Sequence, residues 1–211
     1  FTNDLKWYLE RSGGLQNACK KTLQKVLNIA VRLLAPVVPH FAEECWEMLG
    51  KKPFVAFAEF PKPEKELLNE KAELLEQTIM QTFEDIKEIL KIVKKKPEKI
   101  KIYVAPHWKY VVFMEALRLA KEPKKIIPEL MKNPELRKIG KPVVKLAEQI
   151  IRDVGKLKEP PIPAEEMEAL KEASDFLKRH FGCEIEVLDA LQERSPKALK
   201  ALPGKPGIEI L

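Results

Sequence analysis

The sequence predicts a mainly α-helical chain that ends in a small α+β region. Apolar residues recur at three-and-four spacing over long stretches, which is typical of helices packed on one face. Strand-like alternation is confined to short strips after about residue 98. The 211 residues are 45% hydrophobic, which is enough to build a core. A chain of this length forms one large or two modest domains. A proline-containing segment near residue 60 favours two, 1–63 and 64–211.

The first two elements are predicted to be helices separated by a glycine pair. A short helix begins at Thr2 or Asn3, and Gly13-Gly14 ends it. The next helix is predicted over about 15–35. Its apolar stripe keeps helical spacing and consists of Cys19, Leu23, Val26, Leu27, Ala30, Leu33 and Leu34.

The stretch LLAPVVPHFAEECWEMLG, residues 33–50, breaks a helix and restarts it at once. Pro36 has no backbone N–H to donate, so it ends the first helix, whereas Pro39 suits the first turn of a new one. Gly50 closes the second helix. The pattern predicts a corner between two packed helices, with a packing motif made of Pro36, Pro39, His40, Glu43, Glu44 and Trp46.

The remaining elements are predicted from the spacing of apolar residues and from the positions of proline and glycine. Residues 51–64 hold three prolines and no helical period, which indicates a domain boundary. A long helix is predicted over 64–95 and a strand over 99–105. Further helices are predicted at 107–121, 124–133, 141–155 and 163–181, and further strands at 183–189 and 207–211, with a turn-rich segment between the last two.

No catalytic or metal site is predicted. The three histidines, His40, His107 and His180, lack a second ligand pair at metal-binding spacing. The sequence contains no glycine-rich phosphate loop, no GxSxG and no HExxH. Three distant cysteines without a CxxC pair, and the lack of a signal peptide or membrane-length apolar run, favour a reduced, cytoplasmic setting.

Binding is the remaining function class, and positive charge is its main signal. The net charge is +6 and the pI about 9.1. Only seven of the 38 basic residues are Arg, and this excess of Lys is also typical of thermophile proteins, which is an alternative explanation of the charge. Solvated helix faces and helix ends are the other alternative.

Three basic clusters are candidate nucleic-acid-binding sites. The first is the helix face with Lys21, Lys25 and Arg32. The second is the run KKKPEKIK, residues 94–101, with five Lys and one Glu, from which Lys94, Lys95 and Lys96 are the candidates. The third is the C-terminal segment, where prolines and glycines predict an exposed backbone able to reach phosphates and bases. Its candidates are the side chains of Arg194, Lys197, Lys200 and Lys205 and the backbone of Ile208, Glu209, Ile210 and Leu211.

The corner motif resembles that of class I aminoacyl-tRNA synthetases with large aliphatic substrates, in which a leucine-rich helix is followed by Ala-Pro, Pro-His, Ala-Glu-Glu and Trp. Other stretches are similar to the archaeal and eukaryotic-cytosolic type of leucyl-tRNA synthetase. They are NDLKWYLERSGG (3–14), FVAFAEFPKP (54–63), KIYVAPHWK (101–109), IIPELMKNPELRKIGK (126–141) and ALPGKPGIEI (201–210). The resemblance covers nearly the whole chain.

The resemblance implies the end of a helical anticodon-binding domain followed by the family's C-terminal α+β domain. The parent enzyme, expected to be monomeric, would attach leucine to tRNA(Leu) with ATP and magnesium. Its HIGH and KMSKS motifs are absent here, so the fragment is expected to be inactive and to rely on upstream domains. Its partner would be the long variable arm of the tRNA. The alternatives are a valyl- or isoleucyl-type enzyme, or a protein-interaction appendage.

Overall fold

Two separately packed units make up the chain, Phe1–Leu68 and Asn69–Leu211. The computed structural model describes residues 2–93, 96–153, 155 and 159–211. The prediction of a mainly helical chain with a small sheet is confirmed. None of the helices in these ranges combines the length and the apolar character that crossing a membrane requires.

The first unit contains helices α1 (Thr2–Ser12), α2 (Lys20–Leu34) and α3 (Pro39–Met48). Helix α2 begins five residues later than the predicted Leu15. The cause is local, since Gly13 and Gly14 both have positive φ and Cys19 is extended, so the turn between α1 and α2 is longer than the glycine pair alone.

The predicted corner lies between α2 and α3. The backbone N–H groups of Val37 and Val38 both donate to the carbonyl of Leu34, and Pro39 is the first residue of α3. The two helices enclose a small core of Val31, Ala42, Trp46 and Val55.

The 3₁₀ turn Val55–Phe57 is held against α3 by two side chains of the packing motif. The Glu43 carboxylate accepts hydrogen bonds from the N–H groups of Val55 (2.8 Å) and Ala56 (3.3 Å). The Trp46 indole N–H donates to the carbonyl of Pro53 at 3.1 Å. His40 and Glu44 are exposed.

The second unit begins with the long helix α4 (Glu70–Val93). The predicted start at residue 64 is wrong because Lys65–Leu67 forms a 3₁₀ turn and Asn69 then caps α4, accepting from the N–H of Ala72 at 3.1 Å. Helix α4 packs on α9 (Pro163–Phe181), with the rings of Phe83 and Phe176 5.3 Å apart.

A three-stranded sheet has the order β2–β1–β3. The central strand β1 (Lys99–Val104) pairs in parallel with β2 (Glu184–Asp189) and antiparallel with β3 (Gly207–Ile210). The β1–β2 crossover contains α5 (His107–Arg118), α6 (Ile126–Leu130), α7 (Pro134–Ile139), α8 (Lys141–Arg152) and α9. Helix α10 (Pro196–Lys200) lies between β2 and β3 in sequence.

Candidate nucleic-acid interface

Three of the four basic side chains predicted near the C-terminus lie around one groove, here called the lysine groove. Lys197, Lys200 and Lys205 line it, and all three are exposed. Asp85 and Glu88 of α4 line it as well, and Gly207 and Ile208 bring the start of β3 to it. Its volume is about 470 Å³. Arg194 is exposed but does not line this groove.

Helix α10 carries Lys197 and Lys200 and is anchored at both ends. At its start, the Ser195 hydroxyl accepts from the N–H of Lys197 (3.1 Å) and donates to the Glu209 carboxylate on β3 (3.0 Å). At its end, the buried ammonium of Lys109 donates to the carbonyls of Leu199 (2.7 Å) and Ala201 (2.6 Å). Burial lowers the pKa of Lys109. These contacts hold α10 in place and thereby fix the positions of Lys197 and Lys200.

Lys205 is presented by a tight turn that a buried carboxylate holds. The backbones of Leu202 and Lys205 exchange two hydrogen bonds across the turn, and Gly204 between them has a φ of +70°. The N–H of Gly204 and the hydroxyl of Tyr110 both donate to Oε2 of Glu166, at 2.9 and 2.8 Å. Glu166 is fully buried, and burial raises its pKa. The buried carboxylate therefore anchors this surface turn to the core.

A polar network on one face of the sheet ties β3 to β1. The Tyr103 hydroxyl lies 2.7 Å from a carboxylate oxygen of Glu193 and 2.6 Å from one of Glu209. Lys101 donates to both oxygens of Glu193, and this ammonium is the main cause of the lowered pKa of Glu193. The Glu209 side chain, a predicted site residue, is thus engaged within the protein.

The backbone of β3 is paired, so the exposed backbone that the sequence predicts for this segment is only half present. Leu211 and Lys99 exchange both of their hydrogen bonds. In an antiparallel pair such exchanges alternate along the strand, so the backbone groups of Ile208 and Ile210 face away from β1. Ile208 is only 7% exposed, so the edge of β3 offers mainly the fixed N–H and C=O of Ile210, which is partly exposed.

The predicted basic face of α2 is largely occupied by contacts within the first unit. The Lys25 ammonium lies 2.6 Å from the Glu64 carboxylate. Arg32 donates to the carbonyl of Glu59 at 3.0 Å. Both side chains thereby hold the segment 59–64 to α2, along a cleft of about 590 Å³, while Lys21 is exposed.

The second predicted cluster is described only in part. Lys94 and Lys95 lie outside the described residues, and Lys96 is exposed. Among the described residues, no group of three or more His, Cys, Asp or Glu side chains is arranged to share a metal ion.

Sequence reasoning does not single out Lys109 or Glu166, although both position the lysine groove. Lys109 bonds residues 90 and 92 positions away along the chain, and Glu166 bonds Gly204, 38 positions away. No local sequence pattern can therefore reveal these contacts. Ser195 caps α10 and Pro196 begins it, which is the local pattern of a helix start.

Comparisons with a family model and with curated proteins both match this chain to tRNA ligases. Residues 1–102 match the family model described as the anticodon-binding domain of tRNA ligase. The chain is 39% identical to the leucine–tRNA ligase of Pyrococcus abyssi and 38% identical to that of Methanocaldococcus jannaschii. These alignments cover 99% and 98% of the chain but only 21% of each relative, so the chain spans about a fifth of their length.

Proposed function

We propose that this chain binds tRNA(Leu) and positions it for leucylation by a catalytic domain outside this chain. The proposal follows from its homology to the C-terminal region of the archaeal leucine–tRNA ligases. The observation that carries the proposal is the lysine groove. The contact would include the body of the tRNA and its long variable arm, in the cytoplasm, where translation takes place.

The charges around the groove favour a phosphate backbone on one side. Lys197, Lys200 and Lys205 are exposed point charges without an ion pair among the described residues. Asp85 and Glu88 of α4 would repel phosphates, so the nucleic-acid strand would run along α10 and the Lys205 turn. Lysines alone supply affinity without sequence information.

Discrimination among tRNAs would come from the edge of β3. The outward backbone groups of Ile210 are rigid, since its neighbours Glu209 and Leu211 pair with Lys101 and Lys99. Fixed N–H and C=O groups can distinguish the donor and acceptor patterns of unpaired bases.

Replacing Lys197, Lys200 and Lys205 by Ala should weaken binding of all tRNAs alike. Each lost phosphate contact lowers the slope of log affinity against log salt by about 0.7–0.9. The measurement is a tRNA titration at several salt concentrations. A matched triple variant, Lys121→Ala with Lys138→Ala and Lys171→Ala, removes the same charge from exposed positions that do not line the groove and should keep the slope. Equal slopes for both variants would contradict the proposed groove.

Ile210→Pro should reduce the preference for long-armed over short-armed tRNA. Proline removes an N–H that faces away from β1, so no hydrogen bond of the sheet is lost, and edge strands tolerate proline there. Ile210→Val keeps the N–H and serves as the control. Competition binding with tRNAs of each class measures the preference. If Ile210→Pro left it unchanged, β3 would serve packing only.

The chain alone should not activate leucine. ATP and magnesium would act in the catalytic part of the longer protein, since no phosphate-binding motif occurs in this sequence. The measurement is leucine-dependent ATP–pyrophosphate exchange with the purified chain. Exchange above background would overturn this part of the proposal.

A further inference from the structure

A second groove lies on the other side of α10 and is here called the Trp108 groove. Its volume is about 660 Å³. Trp108, Leu191 and Leu199 give it an apolar lining, and Lys145, Gln149 and Lys200 supply polar groups. Leu191 and Leu199 are 72% and 77% exposed, so two large apolar side chains in one groove are open to a ligand.

The Trp108 groove adjoins the lysine groove. Lys200 and Leu202 line both of them, so only α10 and the residues after it separate the two. A strand of nucleic acid whose phosphates follow Lys197 and Lys200 therefore passes the mouth of the Trp108 groove.

The charge of the lining selects the kind of occupant. Three lysines, Lys109, Lys145 and Lys200, line the Trp108 groove, and its described lining contains no Asp or Glu. The Lys109 ammonium, already bound to two carbonyls, lies 5.7 Å from the centre of the Trp108 ring. An apolar surface with an aromatic ring and a positive rim at the exposed Lys145 and Lys200 suits a ligand that has a flat apolar face and a negative charge.

We propose that the Trp108 groove receives a nucleobase unstacked from the RNA strand that binds the lysine groove. The inference rests on the proposed tRNA binding and adds a base-binding subsite to it. The base contacts Trp108 and Leu199, the adjoining phosphates lie at Lys145 and Lys200, and Gln149 is the amide that can hydrogen-bond a base edge.

The direct test uses the whole chain labelled with 5-fluorotryptophan, with the Trp108 resonance assigned through Trp108→Phe. The probes are a single-stranded RNA hexanucleotide and an abasic hexamer with the same sugar–phosphate backbone. We expect the hexanucleotide to shift the Trp108 resonance and the abasic hexamer to leave it in place. Equal shifts with both would overturn the inference, as would no shift with the hexanucleotide.

An affinity test keeps the inference separate from the proposed function. Leu199→Ser should weaken binding of a long-armed tRNA transcript about tenfold without changing the salt slope, because it removes an apolar contact and no charge. Met114→Ser, at another exposed apolar position on α5, should bind as the unaltered chain does.

Unchanged affinity in Leu199→Ser would overturn the subsite while tRNA binding stands, and would leave the groove to a protein segment. If the transcript fails to bind the unaltered chain, the proposed function fails, and the hexanucleotide shift still decides whether the groove takes a base.

Discussion

Trp46→Ala should lower the free energy of unfolding of the first unit by about 3–5 kcal/mol, the usual cost of removing a large aromatic side chain from a core. Trp46 is 8% exposed and packs with Val31, Ala42 and Val55 where α2 and α3 meet. Its indole N–H also bonds the carbonyl of Pro53, so the variant loses a hydrogen bond together with the ring. Hydrogen exchange of the α2 and α3 amides measures this unit specifically.

Trp46→Phe is the matched control, because it keeps an aromatic ring in the core and loses the hydrogen bond to Pro53. We expect Trp46→Phe to lose less unfolding free energy than Trp46→Ala. The lost hydrogen bond costs about 1 kcal/mol, and the smaller ring adds a further cost in lost packing. Both variants should retain tRNA affinity per folded molecule. Unchanged stability with lost binding would make Trp46 a contact residue and would contradict the packing role.

Helix ends were predictable where a proline or a glycine bounds a long or clearly periodic helix. Helix α9 begins at Pro163 and stops before Gly182, which adopts the left-handed conformation, and both ends match the prediction. Helix α3 begins at Pro39, as predicted. Proline and glycine restrict or free the backbone at their own position, so their effect can be deduced without the tertiary structure.

Elements that depend on short or distant signals were missed. Helix α10 has five residues, little more than one turn, so no apolar period can reveal it. Helix α7 was missed in the same way, although Asn133 caps it and Pro134 starts it. The pairing of β3 with β1 joins residues more than 100 positions apart, and periodicity says nothing about strand partners.

The candidate site was predictable as a concentration of charge and not as a geometry. Counting lysines identified Lys197, Lys200 and Lys205, and the structure brings all three to one groove. The same counting selected Lys25 and Arg32. The ammonium of Lys25 contacts the Glu64 carboxylate, and the guanidinium of Arg32 contacts the carbonyl of Glu59. The difference lies in whether another segment folds back onto the basic face, which the sequence of that face does not encode.

Gly207→Ala should destabilise the second unit and weaken tRNA binding together. A Cβ at Gly207 would lie 2.3 Å from the carbonyl oxygen of Lys197, closer than any real contact, and 3.5 Å from the Cβ of Ala201. The obstacle is backbone, so α10 must move away from β3. Overpacking of this kind costs about 1–3 kcal/mol. The hydrogen bonds from Lys109 to Leu199 and Ala201 resist the same displacement.

Gly155→Ala is the matched control, since no described atom lies within 4 Å of the added Cβ there. We expect that variant to keep the hydrogen-exchange protection of β1 and its tRNA affinity. In Gly207→Ala the β1 amides that pair with β3 should exchange faster, and the salt slope should fall as Lys197 and Lys200 leave the groove. Faster exchange with an unchanged slope would mean that phosphate contacts do not depend on the seating of α10, and Lys205 with its Glu166-anchored turn would then have to carry them.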